Sequence, residues 1–154
     1  MYGRDVEDAV PYEMEGSFMT PEKLIQLAKE AMGHAYVPYS GYKVGAALLC
    51  ADGTVYGGCN IENASYSPTN CAERTACFKA VYDGHRDFVA IAVVGGKDGV
   101  ITGAFPPCGV CRQVMREFCS DDFMIYVGGK DGAYQALSLA QILPYSFSAS
   151  EHMT

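Results

Sequence analysis

Long apolar runs are missing from this sequence. None approaches the ~18–20 residues that a membrane-crossing helix requires, so no membrane partner is expected. The opening segment, MYGRDVEDAVPYEMEG, carries several acids and has no apolar stretch, so it does not read as a secretory leader. Positive charge is scarce as well. Eleven Lys and Arg stand against 18 Asp and Glu, a formal net charge of −7. RNA and DNA recruit basic faces, so a nucleic-acid partner is not expected, while a small neutral ligand remains open. Histidine is limited to His34, His85 and His152, which are scattered and read as surface or hydrogen-bonded residues rather than ligands. There is no internal repeat and no low-complexity tract. A cytoplasmic location follows as the expectation. In a reducing compartment the seven cysteines are not expected to pair as disulfides, which leaves core packing, metal binding or chemistry.

What is present suits one compact domain. The 154 residues, 49% hydrophobic and 19% charged, can bury a substantial core without covalent staples. Residues 1–17 are acidic and aperiodic and read as a loose arm. Thr20 fits a helix N-cap, with Pro21 at the first helical position and Glu22 at the positive end of the dipole. Leu24, Leu27, Ala28 and Ala31 then share one face, and Gly33 supplies a stop. YKVGAALLC from Tyr42, the ADG turn at 51–53 and TVYGGCNI make a hairpin. A second helix begins near Cys71 and ends near Asp83-Gly84. FVAIAVVGG, 88–96, is a β-branched run typical of a strand buried on both faces. A third helix follows PPC, FMIYVGG (123–129) is another strand, and Ser138 caps a short helix that Pro144 ends. This order predicts an α/β fold with a mixed sheet. Strands 88–95 and 123–128 should be parallel and joined by a right-handed crossover.

Three cysteines occupy special positions. Cys71 lies at the start of the second helix, and Cys108 and Cys111 lie at the start of the third. A helix N-terminus favours thiolate, the form that binds metal. Two helix starts facing one point would gather three thiolates, a soft set that suits zinc. Three protein ligands leave a fourth position open, as catalytic zinc requires. Cys77 would sit about 120° around its helix from Cys71, and Cys119 about 12 Å along from Cys111, so neither easily closes the site. Spacing does not exclude Cys59. Glu73, two residues past Cys71, can stand beside the metal without ligating it and move a proton. Three thiolates on a divalent ion leave one net negative charge, which a guanidinium from Arg74 on a ligand sulfur would offset. Each feature has a plainer reading: CxxC also marks redox pairs and half of a zinc ribbon, Glu73 could simply favour the helix dipole, and Arg74 could pair with a surface acid. There is no second CxxC to complete a ribbon.

Cys71-Ala72-Glu73 with Pro107-Cys108-Gly109-Val110-Cys111 matches the signature of zinc nucleobase deaminases in its three-cysteine form. Together with VGAALL, GCNIENASY, CAERTA and PCGVCRQVMREF, the chain resembles the small homotetrameric cytidine deaminases from Phe18 to Phe147. The implied domain is 18–147, followed by a tail at 148–154. The resemblance implies a three-layer α/β/α sandwich on a five-stranded mixed sheet. It also implies deamination of cytidine and 2′-deoxycytidine to the uridines with release of ammonia, one zinc per subunit, and a homotetramer with shared active sites. Glu73 would carry the water's proton to N3 of the base and on to the leaving amine. Asn60 and Glu62 would hold the ribose 3′-hydroxyl, the backbone of Ala72 would meet the base carbonyl, and Tyr42 would stand where a phenylalanine often packs on the nucleoside. Phe147 would reach a neighbouring subunit's site. Alternatives are a deaminase of a modified cytosine nucleoside such as blasticidin S, a polynucleotide cytidine editor, and a non-enzymatic zinc-binding domain. The intact NIENASY favours a simple ribose over the first. The acidic charge and small size speak against the second.

Overall fold

A computed structural model of the chain describes residues 12–14 and 17–153. The expectation for the N-terminal arm lies mostly outside these residues. Within it, β1 (Tyr12–Met14) pairs antiparallel with β2 (Ser17–Met19). α1 (Pro21–Met32) begins as its residues dictate: Thr20 Oγ1 accepts the Lys23 N–H at 3.2 Å, and Gly33 forms the C-cap. β3 (Tyr42–Cys50) and β4 (Val55–Cys59) form the hairpin, followed by α2 (Ala72–Tyr82), β5 (Phe88–Lys97), α3 (Gly109–Phe118), β6 (Met124–Gly128), β7 (Tyr134–Ser138), α4 (Leu139–Ile142) and α5 (Ala149–His152).

β3 to β7 make a five-stranded sheet in the order β4-β3-β5-β6-β7. β3 runs antiparallel to both neighbours, β5 and β6 are parallel, and β7 is antiparallel to β6. The sheet is therefore mixed, and the expected parallel pair is present. β7 is the one strand of this sheet that periodicity alone does not mark. Its sequence, YQALS, is short and weakly patterned, and it becomes a strand through the open edge of β6.

Strand alternation separates two cores. Ala47, Leu49, Ala90, Ala92, Val94, Met124 and Tyr126 face α1, where Leu24, Ile25, Ala28 and Met32 cover them. Ala46, Leu48, Ile91, Val93, Ile125 and Val127 point the other way, onto α2, α3 and α4. The result is a three-layer α/β/α sandwich. Two glycines let helix backbone lie directly on strand. A Cβ on Gly45 would lie 2.0 Å from the Ala28 carbonyl oxygen, and one on Gly58 would lie 2.3 Å from that of Ala72. The second approach fixes the first turn of α2, and with it the functional site, against β4. Among the described residues no helix is long and apolar enough to cross a membrane.

Candidate active site

The starts of α2 and α3 meet. Cys71 is the N-cap of α2, Cys108 is the N-cap of α3, and Cys111 lies in the first turn of α3. Neither cap residue uses its side chain to satisfy the helix end. The three sulfurs lie within 4.8 Å of one another, and no other residue type joins this group among the described residues. Cys71 Sγ and Cys108 Sγ are 3.8 Å apart. Tetrahedral zinc with sulfur at about 2.3 Å requires an S···S edge of about 3.8 Å, so the trio fits that ion in donor type and spacing. Cys59 stands apart from it, half-buried in a groove between α1 and α2. Cys50, Cys77 and Cys119 are core residues. Burial pushes the Cys50 and Cys77 thiols up to about 11 and raises that of Cys119.

Cys71 moves the opposite way. A hydrogen bond from Cys111 lowers its pKa to about 5 despite burial, with Arg74 and Cys108 helping. Arg74 Nη2 donates to Cys71 Sγ at 3.3 Å. The guanidinium thus sits where the excess negative charge of three thiolates would fall.

Glu73 is 5% exposed and lies under the trio, with Cys111 Sγ 3.7 Å from its Oε2. Burial, and then the charge on Cys71, raise its pKa to about 7. A carboxyl in this range can both take and return a proton near neutrality. Ala72, between Cys71 and Glu73, is fully buried.

Of the remaining expected residues, Tyr42 begins β3, Asn60 follows β4, Glu62 lies two positions further on, and Phe147 lies between α4 and α5. Asn60, just past β4, accepts the Val44 N–H at 2.9 Å and donates to the Tyr42 carbonyl at 2.8 Å. It thereby ties the end of β4 to β3, and one amide proton and one lone pair remain. The Glu62 carboxylate holds loop 39–40: Oε1 accepts the N–H groups of Tyr39 and Ser40 at 3.0 Å each, and Oε2 accepts the Ser40 hydroxyl at 2.5 Å. Those bonds, the Ser40 hydroxyl first, hold its pKa below the usual carboxylate range. Tyr42 is 46% exposed, with its ring 5.9 Å from that of Phe105. Phe147 is exposed; its ring stacks on His152 at 4.9 Å and its carbonyl accepts from Gln113. Ser40, Lys97 and Phe105, which complete the surroundings of Tyr42 and Glu62, had no marking in the sequence beyond loop and strand composition.

Hydrolysis assisted by a metal is the chemistry this arrangement suits. The profile described as "Cytidine and deoxycytidylate deaminase zinc-binding region" matches residues 19–127, and the chain belongs to that family. A cytidine deaminase of Sporosarcina psychrophila is 52% identical over 133 residues, spanning 86% of this chain and 95% of its own. One from Mycobacterium tuberculosis is 38% identical over 124 residues, 80% of this chain and 86% of the relative. The crystal structure of cytidine deaminase from Burkholderia pseudomallei superposes with a TM-score of 0.77 at 47% identity, covering 84% of this chain and all of the other. The family is one of zinc-dependent hydrolases, and zinc is the cofactor that the three thiols suit.

Proposed function

We infer that this chain hydrolyses cytidine and 2′-deoxycytidine to uridine and 2′-deoxyuridine, releasing ammonia, in pyrimidine salvage. The observation that carries this reading is the buried Glu73 carboxyl beside three clustered thiols at two helix starts. Cys71, Cys108 and Cys111 would hold the zinc. When bound, the ion acts as a Lewis acid and brings a water's pKa towards ~7.

The chain's own groups do the rest. Glu73 takes one proton from the water and passes it to N3 of the base as the water oxygen bonds to C4; it then takes the second proton from that oxygen and delivers it to the amine as the C4–N bond breaks. Its raised pKa, with burial as the main cause, suits both directions of transfer. Arg74 offsets the charge of the thiolates through Cys71 Sγ. The backbone of Ala72 meets the base carbonyl. The Tyr42 ring packs on the nucleoside. Asn60 and Glu62 receive the ribose 3′-hydroxyl with the hydrogen-bonding capacity their structural bonds leave free. Phe147, exposed on this chain, reaches the site of a neighbour in a homotetramer. The enzyme works in the cytoplasm on a free nucleoside, with no nucleic acid or membrane as partner.

The test is the ultraviolet absorbance of cytidine with zinc-replete protein. A fall in absorbance with matching ammonia release is expected. No change, with zinc bound and the oligomer intact, would overturn the cytidine reading and make blasticidin S the next substrate to assay.

A further inference from the structure

Tyr42, Glu62 and the loop between Tyr39 and Tyr42 are held from a direction that the site residues do not reveal. Glu62 grips the loop from one side, through Tyr39 and Ser40. From the other side comes Lys97, the last residue of β5, which lies opposite Tyr42 in the β3–β5 register. Its Nζ donates to the Ser40 carbonyl at 2.6 Å and stands 5.2 Å from the centroid of the Tyr42 ring. The next residue, Asp98, donates its N–H to the Gly41 carbonyl at 2.8 Å. Ser40 links both grips, because its hydroxyl, while bonded to Glu62, also accepts the Tyr42 N–H at 3.0 Å.

Gly41 makes this packing possible. It is left-handed, with φ of 72°, and a Cβ there would lie 2.7 Å from Lys97 Nζ. Here the lysine stem lies along the loop while the ammonium sits between a carbonyl and an aromatic face, two contacts that a cation makes well.

We propose that Lys97 is a positioning residue for nucleoside recognition: it locks loop 39–42 from the far strand and so sets the Tyr42 ring and the Glu62 carboxylate that meet the nucleoside. This rests on the nucleoside-binding roles given above to Tyr42 and Glu62. Lys97 touches neither the reacting atoms nor the metal ligands, so its loss weakens binding of ground state and transition state alike and appears in KM rather than in kcat.

The experiment compares Lys97→Met, Lys97→Arg and Glu62→Gln in the zinc-loaded protein, with KM, kcat and Tm measured on cytidine and 3′-deoxycytidine. Lys97→Met should raise KM for cytidine about tenfold and change kcat by less than about twofold. Lys97→Arg, which keeps a cationic donor, should bring KM back to within about threefold of the parent. On 3′-deoxycytidine, which lacks the hydroxyl assigned to Glu62, the Lys97→Met factor should shrink to about threefold, the part that belongs to the Tyr42 ring. An unchanged KM in Lys97→Met overturns the proposal. So does an equal loss on both substrates with a lowered Tm, which would mark Lys97 as a support of the fold alone. Glu62→Gln separates the two levels of the argument. If it raises KM while Lys97→Met does not, Lys97 alone is misassigned. If neither raises KM, the sugar-binding role of Glu62 fails, and the role of Lys97 fails with it.

Discussion

The proposed metal half of the site and its proposed sugar half differ in how their side chains are held. Cys71, Glu73, Arg74 and Cys111 sit within one turn of a helix start, shielded or partly shielded from water, and they interact mainly with one another. Tyr42 and Asn60 stand at strand ends and Glu62 just beyond one, more open, and both polar residues already bond the chain's own backbone. Burial and charge set the properties of the first group. Hydrogen bonds across 16 to 23 residues of chain set the positions of the second. Chemistry and architecture are therefore separable at Glu73 and Arg74 and fused in the sugar half.

The strongest way to break this contrast is Glu73→Gln. The amide fills the same space but cannot move the proton, so kcat should fall about 10²–10⁴-fold. Zinc content, read by atomic absorption, should stay at the parental value. Loss of zinc together with activity would show that base and ligands do not act separately. A smaller effect is expected from Arg74→Gln. Removing the guanidinium from Cys71 Sγ returns negative charge to the cluster, and activity should drop about 10–100-fold with Tm little changed. Unchanged kinetics would remove Arg74 from the mechanism. The smallest effect sharpens the other side of the comparison. Asn60→Ala leaves the Val44 N–H and the Tyr42 carbonyl without their partner, so it should cost about 1 kcal/mol in urea unfolding while also raising KM. A raised KM at full stability would mean that the sugar half is no more structural than the metal half.

The same contrast explains which parts were legible in the chain. Helix starts are local events. Thr20, Cys71, Cys108 and Ser138 are all the N-caps that their neighbours imply, and Ser138 completes a capping box with Gln141. Once two starts are placed, three thiols and a carboxylate follow, and the parallel β5–β6 pair follows from the helix between them. β7 depends instead on an edge that exists only after β6 is in the sheet. The bonds of Glu62 to Ser40 and the reach of Lys97 across to the same residue, 57 positions away in the chain, leave no periodicity or motif behind. Short-range rules describe the metal half, whereas the sugar half is a product of tertiary contact.

Cys71 and Cys108 are 37 residues apart in sequence and stand on different helices. One ion held by both would therefore be a reversible cross-link across the layer that α2 and α3 share, in addition to its part in turnover. Resistance to unfolding then obeys mass action. A ligand that binds the folded form alone adds about 2.7 kcal/mol at a free concentration of a hundred times its dissociation constant, and the gain declines as supply declines. Metal starvation would thus first shorten the life of the folded chain, and the amount of enzyme, as well as its activity, would follow the zinc available.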